Sequence, residues 1–182
     1  IPPRLSQNGY NHLGDGVQSN GLLWIPVEDP QYKRPLICQW NSTIDCIPLT
    51  SNRHAACVAV WQHTAYIPLD FSTAEIHGYS LSDGSQTRNI TLPYRIRHIQ
   101  GCQFTHGILW LLADFIHGSN LIAYDMLANR LFIQVALIPG AYSSEFEGIF
   151  VTHVSDHCQR ISFGQILYGI LSLRRSVVLC FA

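Results

Sequence analysis

His54-Ala55-Ala56-Cys57-Val58-Ala59-Val60-Trp61-Gln62-His63-Thr64-Ala65-Tyr66-Ile67-Pro68-Leu69-Asp70 opens on a histidine, carries an aromatic after eleven intervening residues and closes on a carboxylate after three more. The same frame stands upstream, from His12-Leu13-Gly14-Asp15 to Trp24-Ile25-Pro26-Val27-Glu28, and downstream, from His98-Ile99-Gln100-Gly101 to Trp110-Leu111-Leu112-Ala113-Asp114. Histidine, aromatic and carboxylate all shift by 42 positions from the first unit to the second (54−12) and by 44 from the second to the third (98−54). The chain has nine histidines and twelve acidic residues among 182, too few for this triple match to arise by chance. The segment is a repeat, and a repeat decides the fold before any local signal does.

Inside each unit, short apolar runs alternate with turn residues. In the second unit the runs cover 56–61, 65–71, 75–81 and 87–92, and in the third 101–105, 108–115, 120–126 and 131–138. The first gives 16–18, 22–28, 36–40 and 44–49, with Ser19-Asn20-Gly21 as a hairpin turn. No segment keeps a 3.6-residue apolar period between caps, so helices are expected to be minor. Four strands per ~40–45 residues, repeated, is the signature of a β-propeller. The expected fold is all-β: one domain, 1–182, of four four-stranded blades at about 11–52, 53–95, 96–141 and 142–182. In the last blade Glu145-Phe146-Glu147-Gly148-Ile149 matches His98-Ile99-Gln100-Gly101-Cys102, with Glu145 in the place of the histidine.

The composition agrees with sheets packed face to face: 47% hydrophobic and only 13% charged residues. A net charge of −1 gives neither nucleic acid nor an acidic membrane a basic surface to bind, so neither is an expected partner. No uninterrupted apolar run is long enough for a transmembrane helix. The six cysteines form no CxxC pair, which argues against structural zinc, and the better expectation for them is buried free thiols. Cys38 and Cys46 flank a turn, however, and face each other if paired on neighbouring strands. Two N-x-T sequons, Asn41-Ser42-Thr43 and Asn89-Ile90-Thr91, leave a secreted glycoprotein open. A secreted or extracytoplasmic location is slightly favoured over a cytoplasmic one.

The blade rhythm, with short pieces such as Gln100-Gly101 and Glu147-Gly148, resembles the six-bladed propellers of the gluconolactonase and NHL type. The repeat motif of four-bladed hemopexin-like propellers is absent. Two architectures follow, a closed four-bladed ring or part of a larger propeller. The second is favoured because residues 1–10, rich in proline and polar residues, offer no strand to close a ring; exposed blade edges would then allow oligomerisation.

Equivalent residues of successive blades lie around a propeller's axis at one height. On that phasing His12, His54, His98 and Glu145 ring the axis as candidate metal ligands, with Glu28, Asp70 and Asp114 at the ends of the second strands. Asp15 and Glu147 stand slightly inward, and these five acids are the candidate ligand-binding residues. One divalent ion (zinc, manganese, iron or calcium) is the cofactor such a ring would hold, activating water for a lactonase-like hydrolysis. Gluconolactonase-type enzymes use carboxylates and an asparagine on this face, so a histidine ring departs from the resemblance. The competing interpretation is structural: the histidine ties the inter-blade loop, and the acid accepts from neighbouring N–H groups. Trp24, Tyr66 and Trp110 read as inter-blade core, and His63, His77, His106, His117 and His153 as surface or turn residues. The leading functional expectation is a binding module whose loop face, including 29–35 and 117–120, meets a protein, glycan or small molecule. A metal-dependent hydrolase and a truncated propeller without its own activity are the alternatives.

Overall fold

A computed structural model of the chain describes residues 1–51, 53–113, 119–138, 144–155, 158–167 and 170–180. They fall into two compact units, Ile1–Ile99 and Gln100–Ala182. The first unit begins with a short helix, α1 (Pro3–Gln7), followed by β1 (His12–Leu13), β2 (Val17–Ser19), β3 (Leu22–Glu28), β4 (Leu36–Trp40) and β5 (Ile44–Pro48). A second sheet follows: β6 (Ala59–Trp61), β7 (Thr64–Pro68), β8 (Ser72–Ser80) and β9 (Gln86–Arg97). The second unit contains β10 (Ile99–Thr105, its first residue shared with the first unit), β11 (Ile108–Ala113), β12 (Ser119–Asp125) and β13 (Arg130–Ile138). It ends with β14 (Ser144–Ser155), β15 (Cys158–Leu167) and β16 (Ile170–Cys180). Every sheet is an antiparallel meander in chain order, the form of a propeller blade.

In the first blade both β1 and β2 pair with β3, one beside its end and the other beside its start. They are one inner strand interrupted at Gly14-Asp15-Gly16. The interruption exists because Asp15 turns its backbone to the next blade. Its N–H donates to the Ala56 carbonyl at 2.7 Å and its carbonyl accepts from Val58 N–H at 3.1 Å, a parallel bridge beside Cys57. A Cβ on Gly14 would stand 2.4 Å from the Ala56 oxygen, so only glycine permits this approach.

The hairpin after each inner strand obeys the repeat as well. Asn20 and Gly21, Gln62 and His63, and His106 and Gly107 all take positive φ, and they are spaced by the same 42 and 44 residues. Two consecutive left-handed residues make the tight turn whose twist suits antiparallel strands. Of these three turns, the second is built without glycine.

The core lies between blades. In the first unit Trp24 and Ile37 of the first blade pack with Ala65, Ile67 and Tyr79 of the second, with Leu49, Ala55 and Val58 completing the layer. The other face of the first blade, Val27 and Cys38, is covered by Leu5 of α1 and by Tyr10. In the second unit Trp110, Leu112, Leu121 and Ala123 pack with Ile149, Val151 and Ile161. Trp24, Tyr66 and Trp110 are all buried.

Two expectations need correction. The sequence pattern divides 142–182 into four strands, yet among the described residues the last sheet has three. The stretch expected to supply the last two strands holds one, β16, whose register with β15 continues from Ile170 opposite Leu167 to Cys180 opposite Cys158. Arg174, Arg175 and Ser176 sit inside it, since charged and hydroxyl side chains do not end a strand as proline or asparagine-glycine does.

The cysteines are not free thiols either. Cys38 bonds Cys46 and Cys158 bonds Cys180, each pair directly opposite in adjacent strands with Cα atoms 4.0 and 4.1 Å apart. Cys57 and Cys102 are disulfide-bonded as well, so all six are oxidised. Directly opposed positions bring Cβ atoms within disulfide reach. For 158 and 180 that opposition depends on register, which spacing alone does not give.

Two substitutions test these backbone assignments in urea denaturation. Gly14→Ala should lower stability by about 1–3 kcal/mol, because the inter-blade approach is already in contact. His63→Gly should raise it by about 0.5–1 kcal/mol, since left-handed backbone costs a non-glycine residue ~1–2 kcal/mol and glycine's extra chain entropy returns only part of that.

Candidate functional site

Side chains two apart on a strand share a face. Trp24 and Glu28 therefore leave β3 towards the second blade, while Val27 leaves towards α1. Glu28 ends fully buried at the start of the second blade. Its Oε1 accepts the Ala55 N–H and, at 2.8 Å, the Nδ1–H of His54. The acceptor fixes a proton on Nδ1. Two polar atoms then remain buried with no hydrogen-bond partner, Glu28 Oε2 and His54 Nε2. His12, opposite Glu28 in the β1–β3 register, holds its Nε2 4.0 Å from Oε2 on a half-exposed ring.

The three repeat histidines stand in one row with an aromatic ring between each pair. Tyr32 meets His12 at 6.4 Å and His54 at 4.9 Å, edge to face. Phe71 meets His54 at 5.1 Å and His98 at 4.3 Å. His12 and His54 both approach the Glu28 carboxylate, and Phe71 stands between His54 and His98. Among the described residues no group of three or more His, Cys, Asp or Glu is placed to hold a metal ion.

The other candidates take different places. Asp70, one methylene shorter than Glu28, accepts the N–H of its own neighbour Phe71 at 2.7 Å. The Phe71 carbonyl then accepts His98 N–H at 2.8 Å, so His98 is tied to Phe71 by backbone. Asp15 contributes the inter-blade bridge described above. Glu145 and Glu147 occupy β14 positions opposite Ile166 and Gly164 in the second unit. Asp114, and His117 and Gly118 of the 117–120 loop, lie outside the described residues. His63 and His106 are exposed turn residues. His77 is not a surface residue: it is 6% exposed in β8, with Nε2 3.3 Å from Glu75 Oε2. β8 lies between β7 and β9 and is buried continuously from Ile76 to Tyr79, so no alternation marks His77 as internal.

Three contributors lie outside the histidine–aromatic–carboxylate frame: Tyr32, Asp29 and Phe71, the last matched in sequence by Phe115 at the 44-residue spacing. Asp29 is buried at 4% exposure and organises the loop bearing Tyr32. Its Oδ1 accepts Gln31 N–H at 2.9 Å, and its Oδ2 accepts the N–H groups of Lys33 at 3.2 Å and Arg34 at 2.7 Å. Tyr32, at φ 54°, donates its N–H to the Asp29 carbonyl. Arg34 lies 5.4 Å over the Tyr10 ring, joining the loop to the chain after α1. Burial alone would push the Asp29 carboxyl up. The N–H bonds from Gln31 and Arg34, the Arg34 guanidinium and the Lys33 N–H outweigh it and hold the group below the ordinary 3.8. The dipeptide Asp29-Pro30 was the available signal, as aspartate before proline starts turns.

No protein family and no curated protein matches the sequence. Among solved structures, the chain is similar to the glutaminyl cyclase of Myxococcus xanthus, with TM-score 0.63 and 11% identity over 93% of this chain and 73% of that one. A luciferin-regenerating enzyme gives 0.60 and 12% over 89% and 56%, and Hsv2 of Kluyvelomyces marxianus gives 0.53 and 11% over 92% and 59%. The chain thus spans less than two thirds of the latter two. At such identities the likeness is one of fold, and the fold is of β-propeller type.

Two outcomes follow from the geometry. Glu28→Ala should cost about 2–5 kcal/mol, since it strands the Ala55 N–H and the His54 Nδ1–H in the interior; Glu28→Gln keeps an acceptor and should cost about half as much in the same denaturation assay. For Asp29 the folded value lies below the unfolded one. Its stabilisation of the loop is therefore full above about pH 3.8 and is lost as pH falls through the folded value. Amide exchange at Gln31 and Arg34 should stay protected from pH 7 down to that range and rise below it, and Asp29→Asn should flatten the profile.

Proposed function

We propose that the chain is a β-propeller binding module that receives its ligand on the row His12–Tyr32–His54–Phe71–His98. The observation that carries this reading is the pair of buried atoms without a hydrogen-bond partner beside the row, Glu28 Oε2 and His54 Nε2. Buried polar atoms normally have partners, and a ligand offering a hydrogen-bond donor to Oε2 supplies one. Tyr32, at 44% exposure, and the half-exposed His12 ring give such a ligand flat surfaces at the rim. A protein side chain, a glycan or a small molecule with a donor beside an apolar or aromatic face fits this chemistry. The disulfides favour action in an oxidising, extracytoplasmic compartment.

Saturation-transfer NMR against a panel of saccharides, aromatic amines and short peptides tests the proposal. A ligand should be found whose affinity falls at least about tenfold, ~1.4 kcal/mol, in Tyr32→Ala and in Phe71→Ala at unchanged melting temperature. Ligands that bind both variants as they bind the parent place recognition elsewhere. Titration with zinc, manganese, iron(II) and calcium separates the hydrolase alternative: micromolar binding lost in both His12→Ala and His54→Ala would favour it.

A further inference from the structure

We propose that Asn41 carries an N-linked glycan, an inference that rests on the extracytoplasmic reading above. Asn41-Ser42-Thr43 forms the tip of the β4–β5 hairpin, and all three residues are exposed. Asn41 Oδ1 accepts the Thr43 N–H at 2.7 Å and the Thr43 Oγ1–H at 3.1 Å, while Asn41 N–H donates to the Thr43 carbonyl at 3.1 Å. A backbone N–H must meet oxygen, so these bonds settle the amide's orientation and leave Nδ2 outside them. The sequon thereby sits at an exposed hairpin tip, the kind of site at which this motif accepts a glycan, with its hydroxyl against the acceptor amide.

The second sequon lacks this arrangement. Asn89 is exposed but lies within β9, where its Oδ1 accepts from Gln86 Nε2 at 3.1 Å. In an extended strand residues two apart are roughly 6.6 Å apart along the chain, too far for an Asn89–Thr91 bond of the same kind. The Asn41 turn is local, spanning three residues, so it forms without the rest of the blade. The Cys38–Cys46 bond at the base of the same hairpin requires the oxidising compartment in which transfer takes place.

In the transfer, the co-reactant is an oligosaccharide linked through its C1 to a lipid diphosphate. The Nδ2–C1 bond forms as the C1–O bond breaks. Nδ2 gives up one proton, and the lipid diphosphate leaves with the bonding electrons.

The test is expression of the full chain behind a cleavable signal sequence in eukaryotic secretory cells, read by glycopeptide mass spectrometry and by the gel shift on amidase treatment. Asn41 should be occupied. The shift should vanish in Asn41→Gln and Thr43→Ala, persist in Thr43→Ser, and be unchanged at Asn41 in Asn89→Gln. Secreted protein with intact disulfides and a bare Asn41 overturns the glycan alone. Recovery of the protein from its own cells with free thiols overturns the compartment reading and the glycan with it.

Discussion

A blade has two faces and, standing alone, can bury neither, so the structure depends on what one blade offers to the next. In the first unit that offer is concentrated on a single face of β3. Trp24 fills the apolar layer against Ala65, Ile67 and Tyr79, and four residues on, Glu28 reaches Ala55 N–H and His54 at the same boundary. The apolar part supplies most of the free energy, about 25 cal/mol for each Å² withdrawn from water. Glu28 adds geometric specificity. A buried carboxyl with two fixed donors tolerates little sliding between blades, whereas a greasy face alone would accept several registers. The Asp15 bridge and the close approach at Gly14 fix the same boundary from the backbone side.

This arrangement shows one part of the motif acting as an inter-blade tie. The frame of histidine, aromatic and carboxylate recurs because each junction poses the same packing problem. At the first junction the structural interpretation holds in full, with Glu28 accepting a backbone N–H and an imidazole N–H. What is left over, Oε2 and Nε2, stays buried without a hydrogen-bond partner beside the row in which Tyr32 and Phe71 flank His54.

Much of the fold was legible in the sequence, because a period of some forty residues imposes strand order and turn position together. Asn20-Gly21 and His106-Gly107 announce their hairpins, and Gln62-His63 is recovered only through the repeat. The interruption of the inner strand at Gly14-Asp15-Gly16 was hidden, since it answers a neighbour rather than the local chain. The disulfides were half hidden: Cys38 and Cys46 flank one turn, whereas Cys158 and Cys180 lie 22 residues apart. The site was less legible than the fold. His12, His54 and His98 were found by spacing, but Tyr32 sits in a loop shaped by Asp29, and loop side chains follow hydrogen bonding rather than periodicity. His77 was misplaced for the converse reason, as a strand covered on both faces shows no alternation to read.

The asymmetry between Glu28 and Asp70 shows where the structure departs from the repeat. Glu28 and Asp70 occupy equivalent positions, yet one methylene decides their roles. The longer side chain crosses to the next blade. The shorter one turns back to Phe71 N–H, and the Phe71 carbonyl makes the link to His98 instead. That substitution of backbone for side chain draws Phe71 into the gap between His54 and His98 and places its ring 4.3 Å from the latter. Had Asp70 been a glutamate reaching forward like Glu28, the motif would be more regular and the Phe71 N–H would lose its local acceptor. A repeat kept identical throughout gives symmetric junctions. The departure at position 70 is what makes this row asymmetric, with its buried polar pair at one histidine and an aromatic wall beside the next, and an asymmetric row can fix the orientation of a ligand.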